Sequence, residues 1–209
     1  MQEETRYLEH RRLYHDWRML MAAEEVKVGE KIKATREAKG LALKDIADRT
    51  GFSTAFLSQL ENHLISPPLG AIIKIAHSLD VEIGTLFNQV GTAPFTIVRT
   101  HERTPTSRVA SKEGVRYGYS YESLAPDKIN RRMEPFLVTL EPVSTQGVPY
   151  NHEGEEFLFV LEGKIEVRLG EYTDTLEPGD SIYYDSTTPH KVACAGDKPA
   201  RILAVIFAS

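Results

Sequence analysis

His152 and Glu156 stand four residues apart in YNHEGEEFLFVLEG (150–163), and His190 follows a proline in YYDSTTPHKVACAG (183–196). Successive side chains in a strand point to opposite faces, so the even-numbered Tyr150, His152, Glu156, Leu158 and Val160 share a side. Two imidazoles and one carboxylate on neighbouring strands, with coordination positions left over, form the facial set typical of non-haem Fe(II). Manganese, nickel or zinc would suit the same donors. The competing reading is a metal-free pocket in which the same residues are buried and satisfied by hydrogen bonds. Tyr150 occupies a position where a further ligand would be expected. A phenol titrates near about 10 and ligates well only as tyrosinate. We therefore expect Tyr150 to wall the pocket or to hydrogen-bond a ligand rather than to bind the metal.

These residues require a β framework, and the second half of the chain supplies its pattern. After Phe87, short alternating runs rich in Val, Ile, Tyr, Phe and Thr are separated by Gly, Pro and Asp turns, as in LEGKIEVRLG and LEPGDSIYY. Closely spaced strands without intervening helices indicate an antiparallel sandwich or barrel.

The first half is helical. Residues 5–26 carry Tyr7, Leu8, Leu13, Tyr14, Trp17, Leu20 and Met21 at close to the helical period, predicting an amphipathic helix that packs on its own domain or pairs with a partner chain. From Val28 to Phe87 about five short helices follow, with Ser53 placed to cap one, Gly40 and Gly51 at C-terminal ends, and Pro67-Pro68 at a turn. Within LKDIADRTGFSTAFLSQLEN, Ile46 and Ala47 face inward, Gly51 allows a tight turn, Phe52 plugs the corner, and Leu57 and Leu60 anchor a second helix. That layout is a helix-turn-helix, with Thr54, Ala55, Ser58 and Gln59 outward and Ser53 at the cap. Gln59 would pair with an adenine edge and Thr54 would touch a thymine methyl, while Arg36, Lys44 and Asn62 would meet phosphates.

Charge is consistent with a local DNA contact. The net charge is −5, but residues 27–90 sum to +1 while residues 1–26 and 91–209 sum to −2 and −4. Only the middle block suits phosphates. One cysteine, Cys194, excludes a disulfide within the chain, and there is no secretory signal or apolar run of membrane-spanning length. A cytoplasmic protein with no membrane partner is expected.

Residues 29–87 resemble the XRE family of bacterial and phage repressors, with IADRTGFSTAFLSQLEN following that family's pattern. The sequence departs at His63, where the family usually has glycine, and at Ala42, where a capping Ser or Thr is common. The second half resembles the cupins. By that resemblance His152, Glu156 and His190 match three of four usual metal ligands, and Tyr150 falls on the fourth. The second cupin motif is worn, with Asp185, Thr187 and Cys194 at positions where Pro, Gly and Asn are usual. The order of domains and the stretch EFLFVLEG also resemble the hydroxypropylphosphonate epoxidases, mononuclear iron enzymes, and this resemblance places Tyr119 and Tyr121 near the pocket. Lys112, Arg116, Arg131 and Arg132 would suit an anionic group, although such residues are more often solvated charges.

The expected fold is α+β with two domains: an N-terminal extension (1–26), an all-α helix-turn-helix bundle (27–88), a linker (89–95) and an all-β cupin, a jelly-roll barrel (96–209). The expected function is a DNA-binding regulator, dimeric so that two recognition helices span adjacent half-sites of a double-stranded operator. Its cupin would sense a small-molecule effector, with a bound divalent metal. The alternatives are a non-haem Fe(II) oxygenase or epoxidase, and a metal-free binding module.

Overall fold

Among the described residues, five α-helices precede the barrel, α1 (Val28–Ala38), α2 (Leu43–Thr50), α3 (Thr54–Glu61), α4 (Leu69–Ser78) and α5 (Ile83–Leu86), with a 3-10 turn at Thr100–Glu102. The structure, a computed structural model, describes residues 27–87, 93–103, 118–142 and 149–207. The helix expected over 5–26, most of the expected linker, Lys112 and Arg116 lie outside those residues.

Local chemistry accounts for the helix ends. Ala42 has no capping oxygen, and Asp45 compensates by reaching back to accept from the Ala42 amide at 2.7 Å. α2 stops at Gly51, whose φ of 74° a side chain would strain. Ser53 caps α3 by accepting from the Phe56 amide at 3.1 Å. The turn after α3 is left-handed at His63, φ 57°, and Leu64 donates back to the Gln59 carbonyl at 2.8 Å. The glycine usual in the resembling family suits this conformation; histidine adopts it here at a backbone cost of about 1–2 kcal/mol.

Val28, Ile32 and Arg36 recur at four-residue spacing on the buried side of α1. The Arg36 guanidinium grips Glu61 on α3 with both carboxylate oxygens, at 2.7 and 2.8 Å, and donates to the Leu41 carbonyl at 2.8 Å. This corrects the expectation that Arg36 meets a phosphate: its spacing puts it on the inward stripe, where it ties α1 to α3. α4 is buried almost all round, through Leu69, Ile72, Ile73, Ile75 and Ala76.

Eight antiparallel strands follow among the described residues: β1 (Tyr119–Ser123), β2 (Met133–Leu140), β3 (Glu155–Glu162), β4 (Ile165–Leu169), β5 (Tyr172–Leu176), β6 (Ser181–Asp185), β7 (His190–Cys194) and β8 (Ala200–Phe207). They form a five-stranded sheet, β1-β2-β8-β3-β6, and a three-stranded sheet, β5-β4-β7. Alternation is clean on the inner face. Leu158 and Val160 of β3, Phe136 and Val138 of β2, Ile202, Ala204 and Ile206 of β8, and Ile165 and Val167 of β4 are all buried.

The helical bundle docks onto the open end of this barrel. Tyr121 donates to the Pro67 carbonyl at 2.5 Å, Ser66 donates to the Tyr119 carbonyl at 2.7 Å, and the Phe87 ring lies 5.2 Å from that of Phe136. No helix among the described residues is long and apolar enough to cross a membrane.

Because Arg36 and Glu61 are buried together, losing either partner strands the other. Glu61→Gln and Arg36→Met should each lower stability by about 3–5 kcal/mol, read as a fall in the thermal midpoint. Weakened DNA binding at unchanged stability would restore Arg36 to the DNA-binding face.

Candidate metal centre and DNA-reading face

A backbone bridge assembles the cluster. Tyr150 and His190 exchange amide-to-carbonyl hydrogen bonds of 3.0 and 2.8 Å, and the His152 amide donates to the Ser186 carbonyl at 3.0 Å. These bonds bring the segment ahead of β3 against the start of β7. Glu156 enters from β3, where it is the register partner of Tyr184 on β6 and Ile206 on β8. His152, Glu156 and His190 are all buried, and one ligand atom from each lies within 4.8 Å of the others. His152 Nε2 is 2.7 Å and His190 Nε2 3.5 Å from Glu156 Oε1.

The ring nitrogens on the far side set the chemistry. His152 Nδ1 is 2.9 Å from the Glu153 carbonyl and His190 Nδ1 is 2.8 Å from the Thr188 carbonyl. A carbonyl only accepts, so both Nδ1 atoms carry protons, and in the neutral rings both Nε2 atoms present lone pairs to a carboxylate. His190 Nε2 is buried with no hydrogen-bond partner among the described residues. Three electron-pair donors converge with no proton between them unless an imidazole is charged. A divalent cation resolves that conflict, and carbonyl-anchored imidazoles are the usual support of metal-bound histidine.

Glu156 is shaped for the same role. Burial alone would raise its carboxyl, but hydrogen bonds and charge from the two facing histidines in their protonated form outweigh it and hold the group down at about 2; a bound cation would favour the carboxylate in the same way. Its other oxygen, Oε2, accepts from the Tyr184 hydroxyl at 2.5 Å. Tyr184 did not emerge from the motifs; its signal is cross-strand pairing with Glu156, which becomes visible only when β3 and β6 are in register.

Tyr150 lies edge-on against His190, ring centroids 4.5 Å apart, and stacks over His152 at 6.4 Å. Burial, reinforced by the Glu156 charge, pushes its phenol well above the usual 10, so it remains neutral. Tyr119 and Tyr121 stack at 6.3 Å, but both hydroxyls are committed to carbonyls, of Val192 at 2.6 Å and of Pro67 at 2.5 Å. Burial raises the Tyr119 phenol to about 12. This pair joins the domains instead of offering open donors to a pocket. Arg131 is likewise engaged, with Glu134 at 2.7 Å, whereas Arg132 is exposed.

Gly70, near the start of α4, faces the cluster from the helical domain. A β-carbon there would lie 2.3 Å from Tyr150 Cε2 and 2.7 Å from His152 Nε2. Only glycine allows the helix to sit this close.

At and around α3, Ser53, Thr54, Ala55, Gln59 and Asn62 are exposed and Ser58 is half-buried. Asn62 donates to the Ser58 carbonyl at 2.8 Å, and exposed Lys44 pairs with Asp48 at 2.8 Å. The exposed face is small and polar over the first turns of α3, the part that a major groove admits.

Comparison with known proteins agrees with both halves. The Helix-turn-helix family matches residues 32–86 and the Cupin domain family matches residues 136–206. The chain is an XRE-type helix-turn-helix protein with a cupin domain. The HTH-type transcriptional regulator PuuR of Escherichia coli (strain K12) is 22% identical over 185 residues, 88% of this chain and 96% of that one. The (S)-2-hydroxypropylphosphonic acid epoxidase of Streptomyces wedmorensis is 29% identical over 143 residues, 64% of this chain and 71% of the enzyme. An HTH_3 family transcriptional regulator from Vibrio cholerae superposes with a TM-score of 0.58 at 23% identity, covering 88% of this chain and 96% of that one, which bears on the fold.

In this helix-turn-helix cupin, removing the Tyr184 hydroxyl should leave the ligands in place but loosen the Glu156 carboxylate. Tyr184→Phe is expected to weaken divalent-metal affinity by about 10–100-fold without unfolding the barrel, as measured by competition with a chelating dye. Unchanged affinity would mean that the Tyr184 bond does not orient the ligand.

Proposed function

We propose that this chain is a DNA-binding transcriptional regulator whose cupin domain senses a small-molecule effector at a divalent metal held by His152, Glu156 and His190. The observation that carries the reading is the exposed polar face of α3, on a bundle whose helix α4 closes over a buried His-Glu-His cluster. Thr54, Ala55, Gln59 and Ser58 read base edges, while Ser53, Lys44 and Asn62 hold the phosphate backbone. Arg36 holds the helix that does the reading. Similarity to a protein named as a transcriptional regulator along nearly its full length supports the same reading.

The metal, whether iron, manganese, nickel or zinc, supplies a Lewis-acidic centre with open coordination positions when bound. The protein's share is orientation: carbonyls fix both imidazoles, Tyr184 fixes the carboxylate, and Tyr150 encloses the space as a neutral wall. The regulator acts as a homodimer, so that two α3 helices reach half-sites one turn of DNA apart, roughly 34 Å. An effector changes operator affinity only by binding the two arrangements of the protein unequally.

Selection of genomic fragments by the full chain should return one recurring duplex motif. Each base contact contributes about 1–3 kcal/mol of discrimination, so Thr54→Ala with Gln59→Ala should lose the motif while retaining weak, salt-sensitive binding. Recovery of no motif by the unaltered protein would sink the regulator reading.

A second reading, an Fe(II) oxygenase, is favoured by the three-residue donor set and by similarity to a protein named as an epoxidase. Elemental analysis of protein purified without chelators should find about one metal per chain, lost in His152→Ala. Substrate-dependent oxygen consumption by the iron-loaded protein would then favour the enzyme. Its absence with phosphonates, carboxylic acids and thiols, alongside a recovered motif, favours the regulator.

A further inference from the structure

A cleft of about 490 Å³ lies between the two domains, beside the metal cluster but outside it. The helical domain lines it with Arg49, Lys74 and His77, and the cupin with Asn151, Thr187 and an edge of His152. Its volume is that of a metabolite site.

The charges in it are unevenly satisfied. Lys74 is half-buried, with its ammonium 5.8 Å above the Phe52 ring and donating to the neutral Asn151 side-chain oxygen at 3.0 Å. No carboxylate among the described residues pairs with it. Arg49 donates to the Ser78 carbonyl at 2.7 Å and likewise has no carboxylate partner among the described residues. The cleft also contains two carboxylates, Asp80 and Glu153; both are exposed, as is Arg49, so solvent screens these three charges more than that of the half-buried Lys74. A half-buried ammonium beside an aromatic face is less well hydrated and gains more from a counter-ion. Lysine and arginine side chains keep their charge through the neutral range, which makes Lys74 and Arg49 the constant cations of the cleft.

We propose that this cleft binds a small oxyanion, a carboxylate- or phosphate-bearing metabolite, between Lys74 and Arg49 of the helical domain and Asn151 and Thr187 of the cupin. An anion held there touches both domains at once, and Arg49 lies on α2, immediately before the turn into the recognition helix. The consequence for operator binding rests on the regulator reading; the anion site itself does not.

The test uses the full-length protein at constant ionic strength, so that screening does not vary with ligand. Inorganic phosphate and succinate are titrated separately by calorimetry into the unaltered chain, Lys74→Met and Arg49→Gln, with folding checked by circular dichroism. Binding by either probe, weakened about tenfold or more in the two variants, supports the proposal, and whichever probe binds identifies the source of the anion. Undiminished binding in a folded variant overturns it, as would an anion held by the metal alone. No binding of either probe up to about 10 mM, the weak end of the useful affinity scale, also overturns it. Operator binding is measured in parallel. Lys74→Met should bind the duplex as the unaltered chain does but no longer respond to the anion. Failure of both proteins to bind any duplex would remove the regulator reading and leave the cleft's ligand standing.

Discussion

The contact on which this architecture depends is the one between Gly70 and the rings of Tyr150 and His152. α4 is the central helix of the bundle, and its residues Leu69, Ile72, Ile73, Ile75 and Ala76 are inside. Its first turn is also the lid of the cupin. A single methyl group at Gly70 would overlap both rings, so the distance between the DNA-binding bundle and the His-Glu-His cluster has no slack. Close-packed surfaces of this kind transmit displacement instead of absorbing it. The hydrogen bonds from Tyr121 to Pro67 and from Ser66 to Tyr119 fasten the same segment just before α4, leaving the helix little freedom to slide.

The polar chemistry around the cluster follows from being enclosed. A buried carboxylate facing two imidazole lone pairs would be costly in the absence of a cation or a shared proton. The protein nevertheless fixes both tautomers through backbone carbonyls and adds the Tyr184 hydroxyl to the remaining carboxylate oxygen. Each of these bonds orders a donor before any ligand arrives. Tyr150 adds enclosure without charge, because burial beside Glu156 disfavours its phenolate.

Much of this was legible in the sequence, in proportion to how local the signal was. Ser53 as a cap, Gly51 at a helix end and the buried Leu57 and Leu60 depend on neighbours within a few residues, and strand alternation placed Glu156, Leu158 and Val160 on the inside. His190 joins His152 and Glu156 by donor type, and the cupin resemblance matches the three to one ligand set. At Arg36 spacing prevails over charge: four residues from Ile32 and eight from Val28, it belongs to the inward stripe. Tyr184, Gly70 and Lys74 were not legible for a different reason. The role of Tyr184 depends on cross-strand register, and those of Gly70 and Lys74 on how one domain docks upon the other; no local pattern encodes either.

That docking also determines how a signal could travel. The cluster lies wholly within the cupin, and α3 does not touch it. The path available runs from the rings of Tyr150 and His152 to Gly70, along α4, across its contact with α2, and through the Gly51 turn into α3. Each step is a packed contact between rigid elements, and α3 is held to α1 by the Arg36–Glu61 pair, so the reading helix turns with the bundle instead of bending within it. Under the proposed function, an event at the cupin mouth would act on the angle between two whole domains. In a dimer that angle sets the separation of the two reading helices, where a small rotation is amplified by the distance to the DNA. Couplings of about 1–3 kcal/mol are typical of such linked sites, and they require only that the two rings prefer one position of α4 over another.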